Sequence, residues 1–140
     1  MKKRIWLLPL IVLAALLLTG CALQTVEEMY ALPKRSKEYD SLQSAIDSAM
    51  YGLSYSAPVS GENQQTVQMA DLDGDGVEEY IVFAQGSSAN PLQVLIFRQE
   101  EDGTCRLMEV IQSNGSAFEQ VEYVQMDDAP GYELVVGRQL

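Results

Sequence analysis

Asp71-Leu72-Asp73-Gly74-Asp75-Gly76-Val77-Glu78-Glu79 sets three aspartates at alternate positions, a glycine after the third and a glutamate at the ninth. Carboxylates spaced this way in a tight loop can converge on one hard cation, which takes six to eight oxygen ligands at roughly 2.3–2.6 Å. Gly76 permits the sharp turn that brings the Val77 carbonyl toward them. The expected ligands are the side chains of Asp71, Asp73, Asp75 and Glu79, with the carbonyl of Val77. An all-oxygen set favours Ca²⁺ over Zn²⁺, and Mg²⁺ prefers fewer protein ligands and keeps its waters. The plain alternative is a solvated acidic turn, because Asp and Gly are ordinary turn residues. Three crowded carboxylates repel one another without a cation, and this favours the ion.

The residues on either side of the loop decide the fold. An EF-hand needs a bidentate glutamate at loop position twelve and an outgoing helix. Counted from Asp71, position twelve is Val82. The outgoing Tyr80-Ile81-Val82-Phe83 is β-branched and aromatic, a strand composition. The incoming Thr66-Val67-Gln68-Met69-Ala70 partly alternates apolar with polar residues. The loop is therefore expected to join two antiparallel strands.

The N-terminus reads as an export signal. Lys2, Lys3 and Arg4 precede an apolar run over residues 5–18, short of the roughly 20 residues a membrane-spanning helix needs. The run ends in Leu18-Thr19-Gly20-Cys21, which resembles the bacterial lipobox, cut before the cysteine and lipidated on its thiol. Residues 1–20 are then a lipoprotein signal peptide, and lipid on Cys21 anchors the protein to the bacterial cell membrane, facing outside the cytoplasm. Each buried CH₂ of the lipid contributes about 0.8 kcal/mol, so two or more acyl chains anchor stably.

The chain carries 9 basic and 20 acidic residues, a net charge of −11. Cleavage would remove three of the basic ones and deepen that imbalance. Such a chain repels the phosphates of nucleic acid and of anionic lipid. With Cys21 lipidated, Cys105 stands alone and reads as a small, partly buried hydrophobe.

Residues 21–35 form a tether. Ser36 opens a helical pattern over residues 36–53, with Tyr39, Leu42, Ile46, Ala49, Met50 and Leu53 at spacings of three and four. Ser36 is the expected N-cap and Gly52 the end signal. The apolar stripe is a docking face on the domain that follows. Residues 54–63, rich in Ser, Pro and Gly, read as a linker. The remainder is mainly β, with strands expected at 65–70, 79–85, 92–98, 104–111, 118–126 and 133–138. Together these predict one amphipathic helix followed by an antiparallel meander of about six strands.

An internal repeat runs through residues 64–140. Val124-Gln125-Met126 echoes Val67-Gln68-Met69, and Leu134-Val135-Val136 echoes the strand after the acidic loop. Glu133 follows Glu79 at a separation within the range of one propeller blade. On this alignment the second loop is shorter and degraded. It keeps Asp127 and Asp128 without the alternating third acid, and carries no assigned ion.

The Asp71-Leu72-Asp73-Gly74-Asp75-Gly76 loop, Glu79, the strand 80–83 and the weaker 127–137 echo resemble the FG-GAP and VCBS-type repeats of integrin-like β-propellers, and the bacterial lipoproteins that carry them. The resemblance is close over the loop and loose over 65–140, and it lacks a clear Phe-Gly and Gly-Ala-Pro pair. It implies a Ca²⁺ held between the first two strands of a blade by Asp71, Asp73, Asp75, the Val77 carbonyl and Glu79. About one and a half blades are present, where closed propellers have four to eight. The chain is on this reading the N-terminal part of a longer protein.

Four readings compete. A lipid-anchored, calcium-stabilised binding or scaffolding module, with a protein or cell-wall glycan as partner, accounts for the loop and the anchor. A glycoside hydrolase would need paired carboxylates free for catalysis. The chain has no histidine, which excludes Ser-His-Asp and Cys-His arrangements within it, and its concentrated acids are already accounted for as ligands. The alternative is the N-terminal part of a larger cell-surface enzyme whose catalytic residues lie elsewhere. A solute-binding lipoprotein would need two α/β lobes. Tyr51, Tyr55, Tyr123 and Tyr132 read as strand or linker aromatics rather than a sugar surface.

Overall fold

A computed structural model describes residues 36–140. The signal peptide, Cys21 and the tether lie outside the described residues.

The Ser36 side chain accepts from the Tyr39 N–H at 3.2 Å and opens helix α1 (Lys37–Ala49), as an N-cap does. Glu38 and Asp40 in the first turn suit the positive end of the helix dipole. Past the helix, Gly52 takes φ +77°, a left-handed conformation that glycine adopts without Cβ strain. Among the described residues no helix is long and apolar enough to cross a membrane.

Seven strands follow: β1 (Ser54–Tyr55), β2 (Val67–Ala70), β3 (Glu79–Gln85), β4 (Leu92–Gln99), β5 (Cys105–Ser113), β6 (Ala117–Val124) and β7 (Glu133–Gln139). β2 to β5 form an antiparallel meander. β1 joins the same edge of β3 as β2 but at the opposite end, pairing Ser54 with Gln85 and Tyr55 with Ala84. β6 and β7 form a separate two-stranded sheet.

The outcome is mainly β and antiparallel, as expected, with two differences. The strands divide into two sheets rather than one continuous meander. The 54–63 segment is more than a linker: it contributes β1, and Val59 and Ser60 donate to the carbonyls of Phe118 and Glu119 at 3.1 and 2.9 Å along β6.

β3 is buried on both faces, which gives it an uninterrupted apolar run instead of a half-buried alternation. On one side Val82 and Ala84 meet Leu95, Phe97 and Ile46 of α1. On the other, Ile81 and Phe83 join Leu92, Val94, Phe118 and Val121, sealing the meander against the β6–β7 hairpin. Phe83 and Phe118 meet edge to face across that seam, with centroids 5.1 Å apart and planes at 78°. The layers are thus helix, sheet, hairpin. Burying each of these large side chains contributes roughly 1.5–3 kcal/mol.

The β6–β7 hairpin repeats the β2–β3 hairpin in register. Val67 pairs with Val82 and Ala70 with Glu79; in the later copy Val121 pairs with Val136 and Val124 with Glu133. The loops between them are therefore equal in length, and the shorter second loop expected from the Val-Gln-Met match is corrected. That match slips the repeat by three positions, and an odd slip would turn every side chain to the wrong face of its strand. Gln125, Asp127 and Ala129 stand where Asp71, Asp73 and Asp75 stand in the first loop. The two copies also stack in the same sense. Tyr80 and Val82 face α1, while their counterparts Leu134 and Val136 face the first sheet.

Candidate metal centre

Pairing of Ala70 with Glu79 closes residues 71–78 into a loop at one end of the β2–β3 hairpin. Asp71 organises it. Its Oδ1 accepts from the Gly74 N–H at 2.7 Å and its Oδ2 from the Gly76 N–H at 3.0 Å. Gly74 and Gly76 both have positive φ, at 77° and 87°, a region costly for residues with a Cβ. Asp73 Oδ1 accepts from the Asp75 N–H at 3.2 Å, and Asp75 Oδ1 from the Val77 N–H at 2.8 Å. Glu79 reaches back from β3, its Oε2 accepting from the Leu72 N–H at 2.9 Å.

One carboxylate oxygen from each of Asp71, Asp73 and Glu79 lies within 4.8 Å of the others, a cluster that could hold a metal ion. Of the four expected side-chain ligands, the fold brings these three together. Asp75 stands outside the cluster and is engaged with the Val77 amide. The backbone N–H bonds do not exhaust the acceptors, because each carboxylate oxygen has two lone-pair sites. The donor set, all oxygen and all anionic, suits a hard cation.

Arg98, on β4, is the functional residue missed in the sequence. Its Nε and Nη2 both donate to Glu79 Oε1, at 3.0 and 2.8 Å, and Nη2 also pairs with Asp73 Oδ2. Glu79 is only 3 % exposed, so the guanidinium supplies the countercharge that a buried carboxylate requires. The repulsion that argued for an ion is therefore relieved in part by the protein itself. The signal available in the sequence was a lone basic residue closing the apolar run 94–97, one strand downstream of the acids. Its partners depend on the β3–β4 register.

The second loop keeps the frame but only one of the three alternating aspartates, Asp127 in the place of Asp73. Glu133 Oε2 accepts from the Met126 N–H at 2.9 Å and Asp127 Oδ1 from the Ala129 N–H at 2.8 Å. Gln125, in the position of Asp71, donates its Nε2 to the Ala129 carbonyl at 3.1 Å. Among the described residues no second cluster of three ligating side chains converges. The two loops touch. The Tyr132 N–H donates to the Asp71 carbonyl at 2.9 Å, and a Cβ on Gly74 would lie 2.4 Å from the Pro130 carbonyl group.

Away from the loops, burial pushes the thiol of the partly buried Cys105 up from its ordinary pKa. Tyr123 donates its hydroxyl to Gln68 Oε1 at 2.7 Å, and Gln68 Nε2 donates to the carbonyls of Asn63 and Gln65. Burial raises the phenol well above its usual range. Tyr51 is almost fully exposed.

Comparisons with protein-family models, with curated proteins and with solved structures give no match to this chain.

Proposed function

We propose that this chain is a calcium-stabilised binding or scaffolding module built from propeller-like repeats and held on the outer side of a bacterial cell membrane by lipid on Cys21. The observation that carries the reading is the convergence of Asp71, Asp73 and buried Glu79 at the mouth of one hairpin. The register-matched second hairpin, stacked in the same sense, supports repeat construction.

In this reading Asp71, Asp73 and Glu79 contribute the principal oxygens, and Asp75 and the Val77 carbonyl complete the set. Arg98 shares Asp73 and Glu79 with the ion, so calcium and guanidinium compete for the same oxygens. The ion acts as a structural clamp: it ties the outer loop to a carboxylate rooted in the sheet. The partner, a protein or a wall glycan, meets strand edges and loops rather than the ion.

Isothermal titration of the full chain in detergent, with CaCl₂ and separately MgCl₂, tests the site. One calcium equivalent, preferred over magnesium and lost in Asp71→Asn, is expected. A folded chain that takes up no calcium at millimolar concentration would overturn the reading.

A further inference from the structure

Asn114 and Gly115 lie in the short connection, residues 114–116, that carries the chain from β5 in the first sheet to β6 in the second. The fold demands glycine at 115. Its φ is 134°, and a Cβ there would lie 2.6 Å from the Gln139 carbonyl oxygen and 3.0 Å from Leu92 Cδ1. The residue after Asn114 therefore has no side chain to shield its own amide nitrogen.

An asparagine followed by glycine is a self-contained reactive pair. The glycine amide nitrogen can attack the side-chain carbonyl carbon and close a five-membered ring, provided both groups are free. Among the described residues neither the Gly115 N–H nor the Asn114 carboxamide has a hydrogen-bond partner. Asn114 is exposed, so water reaches the pair.

Every comparable pair in the chain is blocked. Asn63 donates its Nδ2 to the Val121 carbonyl at 3.1 Å and precedes the bulkier Gln64. Asn90 precedes Pro91, which has no N–H to react. Asp73-Gly74, Asp75-Gly76 and Asp102-Gly103 would close the same ring with loss of water. Asp71 holds the Gly74 and Gly76 amides at 2.7 and 3.0 Å, and the Glu100 carbonyl holds that of Gly103 at 2.9 Å.

We propose that Asn114 is a site of spontaneous covalent modification, converted to aspartate and isoaspartate through a succinimide formed with Gly115. The Gly115 nitrogen gives its proton to solvent and bonds to Asn114 Cγ. The bond from Cγ to Nδ2 breaks, and Nδ2 takes a proton from water and leaves as ammonia. Water then opens the ring. Cleavage between Cγ and the Gly115 nitrogen leaves aspartate. Cleavage at the main-chain carbonyl carbon leaves isoaspartate, with the chain routed through the former side chain. The sum is amide plus water giving acid plus ammonia, and nothing is oxidised or reduced. The product carries one more negative charge on a chain already at −11. In the isoaspartate form the connection is one backbone atom longer, next to the Ser116 N–H that donates to the Gln139 carbonyl at 2.8 Å.

Peptide mass mapping of the full chain tests this. Folded protein in detergent and the same chain unfolded in urea are incubated at mildly alkaline pH and then digested. The peptide that holds Asn114 should gain one mass unit in both samples at comparable rates, and three in heavy-oxygen water, since the new oxygen comes from solvent. Isoaspartate and aspartate forms should separate by chromatography, and conversion should slow at mildly acidic pH, where the attacking nitrogen keeps its proton. In the folded sample the Asn63 peptide should keep its mass. Asn114→Gln should abolish the acidic species that accumulates on ion exchange. Retention of Asn114 in the folded chain, equal conversion at Asn63 in that chain, a mass gain without solvent oxygen, or an acidic species that persists in Asn114→Gln would each overturn the proposal.

Discussion

Arg98 and Glu79 form a forked ion pair between neighbouring strands, in which both Nε and Nη2 of the guanidinium share one oxygen of a carboxylate that is 3 % exposed. The other oxygen holds the Leu72 amide, so a single side chain links β4, β3 and the turn of the acidic loop. Arg98 is itself 28 % exposed, so the pair is less costly to desolvate than one sealed in the core.

Removal of the guanidinium should therefore be strongly destabilising in the absence of metal. Arg98→Ala leaves Glu79 buried and uncompensated, and a loss of about 3 kcal/mol is expected from broken pairs of this kind. Urea unfolding in EDTA measures it. Glu79→Gln with Arg98→Gln should cost less than the sum of the single changes, because the two residues act on each other.

Calcium should raise the melting temperature of the full chain. At a hundredfold excess over its dissociation constant, a ligand specific to the folded state stabilises by about 2.7 kcal/mol, or roughly 10 °C in a domain of this size. Asp73→Ala should abolish the gain. Arg98→Gln should lower the melting temperature in EDTA and enlarge the calcium-induced rise, since it frees the contested oxygens. Calorimetric scans at several calcium concentrations separate these outcomes, and a flat response in a folded sample would refute the structural ion.

Gly74→Ala should loosen the contact between the two loops. The residue has φ +77°, and its new Cβ would meet the Pro130 backbone at 2.4 Å. Strain of this kind costs of order 1–3 kcal/mol before any loop movement. Gly76→Ala provides the comparison, because it has positive φ but open space around it. The glycine that loses more stability in denaturant titration should be Gly74.

Alkaline stability should depend on Tyr123. Burial raises its phenol above the ordinary value of 10.0, so the folded state holds this proton more tightly than the unfolded chain does. The contribution is fully present below pH 10.0 and is lost as pH rises beyond it, because the unfolded state ionises first. Tyr123→Phe should reduce stability at neutral pH by about 1 kcal/mol, for the hydroxyl bond to Gln68, and flatten the decline above pH 10.0. Urea midpoints between pH 8 and pH 11 read both effects.

Cys21→Ser should block lipid attachment and leave the signal uncleaved. A gel shift and loss of incorporated fatty acid check this in a bacterial host. Full processing with serine at position 21 would refute the lipobox reading.

Helix α1 and the β-strands were legible because their signals are local. Ser36 begins a 3.6-residue period, and the acidic loop is flanked by β-branched runs. What was not legible depends on register. Arg98 reads as an ordinary strand residue until β4 is set against β3. The phase of the repeat was misread because three matching letters, Val-Gln-Met, outweighed the pleat. The division into two sheets was hidden because the alternation along β6 specifies one buried face without naming the surface that covers it. β1 is only two residues long and gains its bonds from β3, well downstream in the chain.

The two loops differ in charge, yet each is closed by the same glutamate-to-amide bond, from Glu79 to Leu72 and from Glu133 to Met126. Hairpin closure is therefore secured separately from ion capture. Substitutions can strip or restore acids at positions 125, 127 and 129 while the strands keep their pairing, so gain or loss of a cation need not pass through an unfolded intermediate sequence. The first loop lacks part of that freedom, since its glutamate also serves Arg98.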